Sequence, residues 1–153
     1  MAKQTSLFLT KEIVNQGQTF HVGDSGVYKT IFTAANDDSL VKSINICHTV
    51  SGTATAAPTT LTIPMQLAIS GANRNDPTAI FLFANPNIPP MAGGSGTLSP
   101  IDALSASGCP SCPIDNAGKR YYPLESGSQI LARFLNGLLL SGSISVTVIA
   151  ENY

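Results

Sequence analysis

The chain is short of charge. Lys, Arg, Asp and Glu together make up 11% of its 153 residues, against about 25% in an ordinary soluble domain. Eight cations against nine anions leave a net charge of −1, and only Lys119 and Arg120 are adjacent among the cations. Neutralising phosphates requires a clustered positive surface, so nucleic acid is not an expected partner. Cysteine is scarce as well. Cys47, Cys109 and Cys112 do not make the disulfide framework of a small secreted protein. Long apolar runs are missing: residues 130–140 are interrupted by Arg133 and Asn136, short of the ~20 residues that cross a bilayer. No membrane partner is expected. The apolar stretch behind Lys3 covers only residues 7–9, too short for a signal-peptide core, and the reading is synthesis in the cytosol. Tryptophan is absent. Of the ten aromatics only Tyr121 and Tyr122 could form the exposed platform that sugar-binding sites present, so a carbohydrate-binding module is a weak alternative.

In place of charge the chain carries Ser and Thr at thirty positions. A protein near zero net charge has little protection against association. Either this is a Ser/Thr-coated β protein, or partners in an assembly cover much of its surface, as charges are depleted in interface cores. The length suits one domain that buries roughly 70% of the surface its unfolded chain exposes.

Hydrophobic periodicity speaks for strands. Residues 143–150 alternate, with Ile144, Val146, Val148 and Ala150 on one face, and 129–134 form a second run just before them. Strands are also expected at 27–33, Ser39–Thr49, 61–69 and 79–84, with a restart at 120–124. Along Ser39–Thr49 the alternation puts Leu40, Ile44 and Ile46 on one face and Ser43, Asn45 and Cys47 on the other. Pro64 cannot donate to a ladder, so 61–69 is expected at a sheet edge or with a bulge. The unbroken apolar run 79–84 (AIFLFA) is read as a fully buried strand. A helical turn is allowed near 131–139. Residues 34–39 (AANDDS) are a turn, with Asp37 and Asp38 serving its backbone. Residues 85–119 hold six of the ten prolines and no convincing period; they are read as a long irregular loop, functional or mobile. The expected fold is all-β: an antiparallel β-sandwich, jelly-roll-like, of seven to eight strands. Residues 1–23 are an N-terminal arm or edge strand, and 24–153 one β-sandwich domain carrying the loop 85–119.

Candidate chemistry is thin. Cys109-Pro110-Ser111-Cys112 is a C-x-x-C, but a structural zinc needs four ligands, and Cys47 and His48 are consecutive in a strand and point to opposite faces. A redox pair wants its first cysteine at a helix N-terminus, and a Pro-rich loop surrounds this one. Two free thiols in a loop are the expectation, with a local disulfide between Cys109 and Cys112 as the alternative. His21 and His48 are isolated in sequence, with no nucleophile motif near them. The Gly-rich pieces at 23–26 and 92–96 lack the lysine and the strand-to-helix setting of phosphate loops. No catalytic, cofactor-binding or metal-binding residue is assigned, and an enzyme is not expected.

From Thr30 to the end, the strand VKSINICHTV, the second strand TTLTIPMQLAI and the closing YYPLESGSQILARF…SGSISVTVIAENY resemble small β-sandwich structural proteins of tailed bacteriophages. The resemblance implies that PLESGSQIL, from Pro123 to Leu131, turns a corner and that the last strand completes a sheet. No catalytic residues come with that family. What it implies is a non-enzymatic virion protein made in the host cytoplasm. The leading role is a capsid decoration (cement) protein on the capsid surface, with the major capsid protein and copies of itself as partners. A tail, neck or fibre-attachment protein is the alternative. Residues 1–22 and 85–119 are the expected contact segments; the loop is longer than in the shorter members of the type.

Overall fold

In the computed structural model, the order of the strands follows from one rule, nesting. The structure describes residues 12–24, 26–34, 38–49, 63–71, 80–88, 100–105, 107–135 and 143–152. Ten strands are seen among them: β1 (Glu12–Phe20), β2 (Lys29–Thr33), β3 (Ser39–Thr49), β4 (Ile63–Ser70), β5 (Ile80–Ala84), β6 (Asn87–Ile88), β7 (Ile101–Asp102), β8 (Tyr122–Leu124), β9 (Gln129–Phe134) and β10 (Ser143–Asn152). First pairs with last, β1 with β10; then β2 with β9, β3 with β8, and β4 with β5 at the centre, all antiparallel. A long hairpin folded over itself in this way is the jelly roll. The first sheet runs β1-β10-β3, with β7 and β8 sharing the far side of β3; the second runs β2-β9-β4-β5, with β6 beside the start of β4.

Apolar residues of both sheets interdigitate between the layers. Ile144, Val146, Val148 and Ala150 of β10 are buried, as the alternation requires. Across the gap stand Met65, Leu67 and Ile69 of β4 and Ile130, Ala132 and Phe134 of β9. Phe20 at the end of β1 meets Phe134 edge-on, ring centres 5.0 Å apart, a geometry favoured by the ring quadrupoles. The segment PLESGSQIL carries the chain from β8 in the first sheet to β9 in the second. Its turn is pinned to the neighbouring corner: Ala34 N–H donates to Ser128 O (2.9 Å), Gly127 N–H to Ala34 O (3.0 Å), and Ser126 N–H to the Asp38 carboxylate (3.0 Å). Gly127 has φ 81°, a conformation that favours glycine.

Bulges set which residues of β3 and β2 point inward. In β3 the register against β10 slips by one residue at Lys42, so Val41 rather than Leu40 joins Ile44 and Ile46 inside. In β2 the extra residue is Ile31, and Ile31 and Phe32 are both buried although consecutive. β4 is not an edge strand: it lies between β9 and β5. Pro64 sits at its start, where its carbonyl accepts from Leu135 N–H at 3.2 Å, and the bulge beside β4 belongs to Phe83 of β5. The run 79–84 is not fully buried either, because β5 ends the second sheet. The arm-or-edge expectation for 1–23 resolves over Glu12–Phe20 as edge strand β1; residues 1–11 lie outside the described residues. The loop 85–119 holds β6, β7 and a tight buried turn, while 89–99 and 106 lie outside the description. Residues 131–134 belong to β9 rather than to a helical turn. Among the described residues no helix is long and apolar enough to cross a membrane.

Candidate functional site

Two surfaces stand out once the side chains are placed. The first is the exterior of the first sheet. Since the even positions of β10 point inward, Ser145, Thr147 and Ile149 face out. Register puts Thr19, Gly17 and Asn15 of β1 beside them on one side, and Cys47, Asn45 and Ser43 of β3 on the other. None of these nine residues is charged. Gly17 is required at its place, since a Cβ there would lie 2.5 Å from Val146 O. Charge is confined to the borders. Lys42 meets Glu151 at 3.6 Å, and Asp24 takes hydrogen bonds from Lys29 Nζ (2.6 Å) and His21 N–H (2.7 Å). Those bonds, the one from Lys29 first, hold the Asp24 carboxyl below its ordinary pKa. An antiparallel sheet commonly gives its outer face to solvent; this one does so with two amides, four hydroxyls, a glycine, a cysteine and an isoleucine.

The second surface is the outer edge of β5. Ile80, Phe81 and Leu82 are 46%, 48% and 51% exposed. Leu82 pairs with Ala68, which pairs with Leu131 on its far side. Both of those are buried yet stand outside the core between the sheets. Beyond Leu82 the strand is anchored. The Phe83 and Tyr122 rings lie 4.6 Å apart, and Phe83 O lies 3.5 Å from Cys109 Sγ. Burial also raises the Tyr122 phenol pKa.

Cys109 and Cys112 are joined as a disulfide, Cα atoms 5.4 Å apart, and both are buried in the core. The alternative reading is the one seen, and two free thiols are not. With no S–H left, the Cys109–Phe83 approach is a contact and not a hydrogen bond. The turn is held from outside by Arg120, whose Nη1 donates to Pro110 O (2.9 Å) and Cys112 O (2.8 Å). It is held from inside by Gly108, where a Cβ would come within 2.3 Å of Ala103 O.

Among the described side chains, the other residues singled out in sequence are not brought into a shared site. His21 is exposed after β1, and His48 pairs through its backbone with Ile144 at the same end of the first sheet. Asp38 serves the corner, and Asp37 and residues 92–96 lie outside the description. Tyr121 lies under Lys42 Nζ at 5.8 Å and Tyr122 packs on Phe83, so the two are no open platform. Lys42, Lys119 and Arg120 line one depression of ≈ 370 Å³, which Asp102 also lines. Among the described residues no cluster of three or more His, Cys, Asp or Glu could hold a metal ion. Sequence reasoning missed the uncharged exterior and the open β5 edge. The lack of any Asp, Glu, Lys or Arg at the alternate positions Asn15, Gly17, Thr19, Ser145, Thr147 and Ile149 was the available signal for the former.

No family model matches the chain, and no curated protein matches it.

Proposed function

We propose that this is a non-enzymatic virion structural protein, a capsid decoration protein that lies on a shell of major capsid subunits and stabilises it. The observation that carries the reading is the exterior of the first sheet, nine residues over three strands without a charge. Such a face costs less to desolvate than a lysine-rich one, provided that its amides and hydroxyls find hydrogen-bond partners across the contact. Its partner should be equally uncharged and flat. Many copies on one particle supply avidity, so each contact can be modest. The resemblance of the strand sequences to phage sandwich proteins supports the same reading.

The expected contact segments change accordingly. β1 is part of the sandwich, and the loop 85–119 supplies core residues Ile88, Ala103, Leu104, Cys109 and Cys112, so deleting either would damage the fold and test nothing. Thr147, exposed at the centre of the face, is the better probe. Purified protein is added to capsid shells lacking it, and bound protein is measured by sedimentation. Thr147→Lys should lower occupancy at least tenfold while far-UV circular dichroism is unchanged. Undiminished binding of the variant, or no binding by the unaltered protein, would sink the proposal. Immunogold labelling on the tail rather than the head would favour the tail or neck alternative.

A further inference from the structure

A jelly roll exposes sheet edges, and proteins blunt them with charges, prolines, short strands or covers. Among the described residues, three of the four sheet edges are treated that way. β1 and β2 face each other, and the Gln16 side chain bridges them, accepting from Thr33 N–H at 2.9 Å and donating to Thr33 O at 3.3 Å; Lys29 adds a charge to β2. β8 is three residues long with Pro123 in its middle. β5 has no charge, no proline and three half-exposed apolar side chains. Among the described residues no backbone hydrogen bond reaches its outer edge.

We propose that this edge pairs with β5 of a second copy across a two-fold axis, joining the two second sheets into one. The occupant follows from the edge itself. The usable run is short, because the bulge at Phe83 and the contact of its carbonyl with Cys109 Sγ end it. An antiparallel pair centred on Phe81 sets Phe81 against Phe81 and Ile80 against Leu82. Every pair is apolar, and no charge is buried or opposed. Any charged edge strand would instead bring an unpaired charge beside these residues. A two-fold contact is self-complementary and closes at two copies, so it does not run on into fibres. The proposal stands apart from the shell reading, since the two use different surfaces.

Phe81→Cys in a Cys47→Ser background tests it. Facing Cα atoms in an antiparallel pair lie about 4.5–5.5 Å apart, within disulfide reach. With oxidised glutathione as oxidant the variant should give a covalent dimer on a non-reducing gel. Ile13→Cys, on the exposed far edge of the molecule, should stay monomeric in the same background and serves as the collision control. In sedimentation velocity the unaltered protein should show a concentration-dependent dimer, and Phe81→Lys should remove it with the circular dichroism intact. Phe81→Cys cross-linking no faster than Ile13→Cys would overturn the proposal, and so would an unaltered protein that sediments only as monomer. Thr147→Lys should dimerise normally, so failure of shell binding and failure of pairing are read separately.

Discussion

At the scale of single residues, Gln16 does the work of a missing ladder. Among the described residues no strand closes the open side of the sandwich between β1 and β2. A primary amide offers a donor and an acceptor in the same arrangement as a peptide unit, and Gln16 presents both to Thr33. Removing the amide leaves the Thr33 N–H and C=O facing a part-buried seam. Gln16→Ala is therefore expected to cost about 1–2 kcal/mol, lowering the melting temperature by roughly 2–8 °C, measured by scanning calorimetry. Gln16→Glu should not restore it, since an ionised carboxylate accepts from the N–H but sets a second oxygen against the carbonyl. A melting temperature within a degree of the unaltered protein in both variants would remove Gln16 from this role. Nothing in the sequence marks the contact. The partners are 17 residues apart, and a glutamine in a polar strand reads as a solvated side chain.

Strands and turns show where periodicity is a sound guide and where it misleads. The even positions of β10 were legible because the strand is interior and one face of it is dry. Ser39–Thr49 was legible as a strand and in its facing from Ser43 to Cys47, but not at Leu40, since a single extra residue at Lys42 reverses which neighbour points inward before it. The run 79–84 was misread because an apolar run reports what can be buried, not whether a neighbour is there to bury it. The cystine turn was misread for another reason. Its prolines and small residues have no period, yet the turn plugs the gap between β5 and the first sheet with Cys109 and Cys112, 1% and 4% exposed. Cross-linking residues three apart constrains only a small loop, so the chain-entropy estimate is about 2 kcal/mol. The Cys109→Ser/Cys112→Ser double variant, or reduction of the native protein, should lower the melting temperature by roughly 4–8 °C. It should also speed amide exchange at Phe83 and Ala84 more than in β10. Uniform exchange changes across the sheets would mean that the disulfide does not act through this seam.

For the molecule as a whole, the sandwich class could be read from short alternating strands separated by turns, and the jelly roll was the favoured arrangement. The register could not, because every strand offers the same kind of apolar face and only the closed structure selects partners. Nesting makes the last strand the one on which the first sheet depends. β10 pairs along its length with β1 on one side and β3 on the other, and it buries Ile144, Val146, Val148 and Ala150. Burying a valine or isoleucine contributes roughly 1.5–3 kcal/mol, against a total stability of about 5–15 kcal/mol for a typical domain. Removing residues 143–153 should therefore abolish the folded state, leaving a disordered far-UV spectrum and no cooperative urea transition. β1 is the comparison. It is longer than most strands here, but among the described residues it has one neighbour in its sheet, and of its residues only Phe20 is fully buried. Removing residues 1–19, which keeps Phe20, should leave a cooperative transition at lower urea concentration. If the two truncations behaved alike, stability would reside in the amount of strand removed, and the position of β10 between two partners would count for nothing.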